Sequence, residues 1–172
     1  GFFIILSFGS DFFVSLGYSL SEAGYVISLA SWMSIPLVPL GGYVAARYGH
    51  VNLIMASCLL ISAAGMVMID QTSSPIIFLS VVAMIGVFPA AMMVALPPEV
   101  LRPSARGAGL GLFFTLFYAC MAVLPGVAGW TRDLMGDPIA PFYFGAFMMV
   151  CSLMSLILFR ICQKSLPATE TV

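Results

Sequence analysis

Long apolar segments, separated by short polar breaks, run through this sequence of 172 residues. A helix needs about 20 apolar residues to cross a hydrocarbon core of about 30 Å, and lipid offers its backbone no outside hydrogen-bond partner. Six segments approach this length. The pattern therefore predicts an all-α membrane protein with six transmembrane helices.

We expect one transmembrane domain over residues 1–162 and a polar cytoplasmic tail over 163–172. The six spans are predicted at about 1–16, 22–46, 51–69, 75–96, 107–130 and 139–162. The chain begins inside the first span, without a start methionine or a signal peptide. We therefore expect the first helix to be truncated and the chain to be a fragment of a longer protein.

Capping residues and prolines predict where individual helices begin and end. Ser21 is the expected N-cap of the second helix, with Glu22 in its positively polarised first turn. Pro97 and Pro98 are expected to stop the fourth helix, because proline lacks the N–H group that a helix interior needs.

The composition agrees with a membrane bundle and disfavours other classes of protein. Hydrophobic residues make up 62% of the chain and charged residues 8%, whereas a soluble domain carries about 25% charged residues. The net charge is −1 without a basic patch, so no nucleic-acid partner is expected. The four cysteines lack C-x-x-C spacing and there is one histidine, so we expect no disulfide framework, no metal site and no cofactor.

The positions of the cationic residues predict the orientation in the membrane. Lys and Arg accumulate in cytoplasmic loops. The loop between the second and third helices, the loop between the fourth and fifth, and the tail all lie on one side of the membrane. The cations on this side are Arg47, Arg102, Arg106, Arg160 and Lys164. The opposite face receives Arg132 alone. We therefore expect a multi-pass protein of the cell membrane whose C-terminus is cytoplasmic.

An internal match divides the six helices into two triplets. Residues 42–49 and 129–136 both read glycine, aromatic, five further residues, glycine, and each stretch ends the middle helix of its triplet. The offset is 87 residues, or three helices, and an odd number of crossings places the two copies on opposite sides. This predicts two inverted three-helix repeats.

Three stretches of the sequence resemble motifs of the major facilitator superfamily. Residues 41–50 resemble the family's loop G-x-x-x-D-R/K-x-G-R, with Ala46 in place of the acid and His50 in place of the last arginine. Residues 98–109 resemble the loop between the tenth and eleventh helices, and residues 17–24 resemble the turn before the eighth.

This resemblance implies a function and a missing partner. The chain would be the C-terminal half, helices seven to twelve, of a permease that moves a small solute by secondary active transport and alternating access. An N-terminal six-helix half would complete it. Residues at matched loop positions are candidates for a cytoplasmic gate: Gly42, Arg47, Gly49, Glu99 and Arg106. Glu99 and Arg106 either pair in one gate state or belong to an ordinary solvated loop.

The resemblance also implies a substrate path near the bilayer midplane, lined by the first, second, fourth and fifth segments, while the third and sixth face lipid. The candidate residues for this path are Asp11, Ser28, Ser31, Trp32, Thr115 and Tyr118. Asp11 either couples a proton or other ion to transport or lies hydrated at the external rim. The small-residue stripe of the fifth helix, which includes Thr115, serves either ligand binding or helix packing, and serines can bond their own backbone.

Other function classes are weighed against transport. One alternative is a non-transporting membrane subunit or a truncated remnant of a transporter. A membrane enzyme is disfavoured, because the apolar segments contain no H-E-x-x-H, Ser-His or Asp-Asp arrangement. The near-absence of charge within the spans favours a neutral, amphipathic or singly charged substrate.

Overall fold

The computed structural model describes residues 1–101 and 103–165, without the side chains of residues 99, 100, 164 and 165. This part of the chain is helical and contains no strand. Its α-helices are α1 (Phe2–Ser15), α2 (Leu20–Tyr48), α3 (Val51–Val67), α4 (Pro75–Val87), α5 (Ala90–Val100), α6 (Arg106–Met135) and α7 (Ala140–Ser165). Short 3-10 turns lie at Ile69–Gln71 and Pro103–Ala105. The all-α prediction is confirmed.

Helices α4 and α5 together form one apolar span, so that the described chain has six helical segments. Four are long and apolar enough to cross a membrane: Leu20–Tyr48, Pro75–Pro98, Pro103–Met135 and Ala140–Gln163. Helices α1 and α3 are apolar but have only 14 and 17 residues. At ~1.5 Å per residue they measure about 21 and 26 Å, less than the ~30 Å thickness of a hydrocarbon core.

The predicted N-cap of the second helix is wrong by two residues. Ser19, not Ser21, caps α2, and its hydroxyl oxygen accepts a hydrogen bond from the Glu22 N–H at 3.3 Å. The Glu22 carboxylate accepts in turn from the Ser19 N–H at 2.9 Å. This reciprocal capping box requires Glu or Gln three residues after the cap. Ser19 has one, whereas residue Gly24 stands at that distance from Ser21.

The predicted stop at Pro97 and Pro98 is also wrong, because both residues lie inside α5, which continues to Val100. The fixed φ of proline is close to that of a helix, so the two residues fit the last turn, although neither has an N–H group to donate. The interruption lies earlier, at Phe88 and Pro89. There Pro89 caps α5, and its carbonyl accepts from the Met93 N–H at 3.0 Å.

The main core forms where α1, α3, α4 and α7 meet. The rings of Phe12 in α1 and Phe142 in α7 are buried and pack with centroids 5.3 Å apart. Met66 and Leu79 bury their side chains in the same cluster. Helix α3 packs most extensively against α7. Helix α6, by contrast, buries only Ala128 among its 30 residues.

Helix α2 makes its closest approach to the α4–α5 interruption at a glycine. Gly41 is buried, and a Cβ atom at this position would overlap the carbonyl oxygen of Phe88. The neighbouring Gly42 is less constrained, since its Cβ would lie 3.4 Å from the Cβ of Ala91. The closely packed glycine is therefore Gly41, which directly precedes Gly42, the glycine that matches the loop motif.

We predict that Gly41→Ala destabilises the protein by about 1–3 kcal/mol, because the backbone at Phe88 cannot move aside as a flexible side chain would. Gly42→Ala is the matched control and should change the free energy of unfolding by less than about 0.5 kcal/mol. Thermal unfolding of the purified variants in detergent measures both effects. Equal melting temperatures for the two variants would contradict the close packing at Gly41.

Candidate functional site

An ion pair joins α1 to α6. Nη2 of Arg132 lies 2.7 Å from Oδ2 of Asp11, and the two side chains are 40% and 41% exposed. Arg132 belongs to the last turn of α6. Asp11 lies in the last two turns of α1, which ends at Ser15. The contact therefore ties together the ends of two helices, at the edge of the bundle and in partial contact with solvent.

A close helix contact lies one turn away from this ion pair. A Cβ on Gly129 would lie 3.5 Å from the Phe8 ring, so the missing side chain lets α1 approach α6. Phe8 and Gly129 each precede their ion-pair residue by one turn. Arg132 was predicted only as the lone cation of its face. The signal that could have paired it with Asp11 is that both lie next to loops predicted on the same side of the membrane.

The candidate residues of α6 lie on its exposed surface. The Thr115 hydroxyl donates to the carbonyl oxygen of Gly111 at 2.8 Å. Tyr118 is 61% exposed, and its ring stacks on Phe114 with centroids 6.3 Å apart and an interplanar angle of 27°. A Cβ on Gly111 would meet no atom within 4 Å. Within the described chain, no neighbouring helix therefore fills the space beside Gly111.

The candidate residues of α2 show a similar pattern. Ser28 is exposed and Ser31 is partly buried. The Ser31 hydroxyl donates to the carbonyl oxygen of Ile27 at 2.9 Å, so it bonds its own helix, as does Thr115 on α6. The Trp32 ring is 73% exposed. Helix α2 thus presents the exposed Trp32 ring and the exposed Ser28 side chain. Among the described contacts, the Ser28 hydroxyl makes no hydrogen bond to a backbone carbonyl.

The candidate residues of the substrate path lie on three helices, α1, α2 and α6. One of them, Asp11, contacts a residue that was not among the candidates. This residue is Arg132 of α6. The other candidates lie on α2 and α6, and α1 packs against both of these helices. Helix α1 therefore connects the two candidate surfaces.

The candidate gate residues lie at the ends of α2 and α6. Gly49 caps α2 in the left-handed conformation with φ of 69°, and its N–H donates to the carbonyl of Ala45 at 2.9 Å. Arg47 is exposed in the last turn of α2, and Arg106 is exposed as the first residue of α6. The side chain of Glu99 lies outside the described residues, as does Arg102. The Glu99–Arg106 pair therefore remains a prediction.

Among the described residues, no group of three or more His, Cys, Asp or Glu side chains is placed to hold a metal ion.

Comparison with known proteins gives one match. The family model described as Major Facilitator Superfamily matches residues 1–170. No curated protein and no solved structure matches the chain.

We predict that Asp11 and Arg132 are energetically coupled, with an interaction of about 0.5–1 kcal/mol because both side chains are partly hydrated. The measurement is a double-mutant cycle on unfolding in detergent with Asp11→Asn, Arg132→Gln and the double variant. Asp70→Asn replaces Asp11→Asn in the control cycle, since Asp70 is exposed in the turn after α3. Additive effects in the Asp11–Arg132 cycle would show that the pair contributes nothing.

Proposed function

The chain belongs to the major facilitator superfamily, whose members are membrane transporters, and on this premise we propose that it moves a small solute by secondary active transport. The observation that carries the proposal is the family match over residues 1–170. The four long apolar helices support it, because they are long enough to cross a membrane. The mechanism we propose is alternating access, in which a central site opens to one side of the membrane at a time.

We propose that the chain forms the C-terminal six-helix half and that an N-terminal half packs against α2 and α6. Most residues of α6 are exposed although the helix carries small residues, glycine, alanine and threonine, that suit close contact with another helix. Helix α7 buries several large apolar side chains, among them Phe142 and Met149. This difference supports a protein partner on the α2 and α6 side, and exposed apolar side chains such as Leu53 of α3 and Phe147 of α7 support lipid on the other side.

We further propose that the six segments form two inverted repeats. Gly49 and Gly136 occupy the same position in the two matched stretches, and each ends its helix in the left-handed conformation, with φ of 69° and 65°. Gly49 donates its N–H to Ala45 and Gly136 donates to Arg132. Both acceptors precede their glycine by four residues, so the two helix ends have equivalent hydrogen bonds.

In the proposed orientation, the C-terminus and the loops after α2 and before α6 face the cytoplasm, because those regions carry most of the cations. The Asp11–Arg132 ion pair then lies at the external rim. There it holds α1 against α6 and sets the width of the external mouth. A position at this rim, with the Asp11 side chain 41% exposed, favours the hydrated alternative for Asp11 over a role in coupling to a proton or other ion.

The substrate path is proposed to follow α6 and α2, past Thr115, Tyr118 and Trp32. The exposed rings of Tyr118 and Trp32 offer apolar faces, and the described parts of these two spans have few charged side chains. Such a surface suits a neutral, amphipathic or singly charged small molecule. The remaining contacts would come from the N-terminal half.

Alternating access can be tested without a known substrate, by the reaction of engineered cysteines with a small charged thiol reagent. Thr115 lies nine residues from the start of α6, about 14 Å along the helix. Ser155 lies ten residues from the end of α7, about 15 Å along it. The two sites are thus at matched depth, one on the proposed path and one on the proposed lipid face.

We predict that Thr115→Cys, in the complete protein without its native cysteines, reacts with reagent added to either side of sealed vesicles. Ser155→Cys should not react, because a thiol needs water to form the reactive thiolate. Mass spectrometry of the modified protein measures the extent of reaction, and a retained larger dye shows that the vesicles are sealed. Reaction of Thr115→Cys from one side only would contradict alternating access. Equal reaction at both residues would contradict the path.

A further inference from the structure

A groove of about 610 Å³ runs along the surface between α3 and α7. Its walls are apolar over most of their length, with Leu53 and Leu60 on α3 and Ile157 on α7. These three side chains are 68%, 52% and 47% exposed, so the groove is open along its length on the outer surface of the protein. In a membrane, those surroundings are acyl chains.

One end of this groove is polar. Arg160 and Asn52 both line it, and Nε of Arg160 donates to Oδ1 of Asn52 at 2.7 Å. Nη1 of Arg160 donates to Oε1 of Gln163 at 2.7 Å, and the guanidinium lies 5.5 Å from the centre of the Phe159 ring. These contacts orient the guanidinium at the mouth of the groove. The amide nitrogen of Asn52 adds N–H donors beside it.

The length of the groove matches one leaflet of a bilayer. From Asn52 to Leu60 it follows eight residues of α3, or about 12 Å, close to half of a ~30 Å hydrocarbon core. Leu60 also begins a second groove of about 490 Å³, which continues between the same helices to Met68 and Tyr143. No charged side chain lines this second groove. The cationic end therefore distinguishes the first groove from its continuation.

We propose that the first groove binds an acyl chain of an anionic phospholipid from the leaflet on the Arg160 side, with the lipid phosphate held by Arg160 and Asn52. The positive charge of the guanidinium attracts the phosphate, the amide N–H groups of Asn52 can donate to the phosphate oxygens, and the apolar walls cover the chain below. A zwitterionic lipid offers the same chain but adds a cationic group beside the phosphate. The site should therefore prefer a lipid with net negative charge.

The test uses native mass spectrometry of the complete purified protein, titrated with phosphatidylglycerol or with phosphatidylcholine of identical acyl chains. We expect tighter binding of phosphatidylglycerol. Arg160→Gln should weaken phosphatidylglycerol binding about fivefold and leave phosphatidylcholine binding nearly unchanged. Arg160→Lys keeps the charge and should retain most of the preference. Equal binding of the two lipids, or an unchanged preference in Arg160→Gln, would overturn the proposal.

A second pair of variants tests the position of the acyl chain and does not depend on Arg160. Ala56→Phe fills the first groove, and Ala64→Phe fills the second at an equivalent place on α3. We expect Ala56→Phe to remove the preference for phosphatidylglycerol and Ala64→Phe to preserve it. The opposite pattern would place the lipid elsewhere. The lipid-binding proposal requires only that the protein is embedded in a membrane. The reaction of Thr115→Cys tests the transport proposal, so its result does not affect the lipid site.

Discussion

The hydrogen bonds of the backbone are the constraint on which the rest of this structure depends, because hydrocarbon offers no partner for an open N–H or carbonyl group. Among the described residues, an interruption within a span lies at Phe88 and Pro89, next to buried protein. Pro89 is buried, and Gly41 of α2 packs directly against the Phe88 carbonyl. Non-helical backbone at membrane depth is tolerated where protein covers it, which explains the need for a glycine at residue 41.

The same constraint applies to several hydroxyl groups within the spans, although, within the described chain, the buried Ser62 hydroxyl has no hydrogen-bond partner. The side chains of Ser31, Ser80 and Thr115 each donate to a carbonyl one turn earlier in their own helix. A hydroxyl satisfied in this way can still accept a hydrogen bond from a ligand. These bonds therefore keep the helices stable in lipid without removing Ser31 or Thr115 from the candidate substrate path.

Packing divides the bundle into two unequal parts. Helices α1, α3, α4 and α7 supply most of the main core, to which α2 adds Ala23 and Ala30, whereas the one buried residue of α6, Ala128, lies outside this cluster. The Asp11–Arg132 ion pair and the Phe8–Gly129 contact attach α6 to this core at one end. Helix α6 also contacts α5 and α7, yet most of its residues are exposed, and we propose that a second domain covers this exposed surface.

The helical class could be predicted from the sequence because segment length and apolar composition decide it, and Glu22 in the first turn of α2 followed from simple helix electrostatics. The spacing to Glu22 is the sequence signal that distinguishes the true cap, Ser19, from Ser21. The predicted loops place Asp11 and Arg132 at the same end of the bundle, but their contact and the close packing at Gly41 depend on how distant helices meet, which the sequence pattern does not show. The substrate-path residues remain predictions, since their ligand and proposed partner half lie beyond this chain.

The central claim, that successive helical segments cross the membrane in alternate directions, is tested most directly by mapping three loop positions. Ser73 lies before α4, Ser104 between α5 and α6, and Asp137 between α6 and α7. Each is replaced by cysteine and labelled in sealed cells and in inverted vesicles with a membrane-impermeant reagent. If the segments alternate in direction, Ser104→Cys is labelled only from the cytoplasm, and Ser73→Cys and Asp137→Cys are labelled only from outside. Labelling of all three from the same side would contradict it.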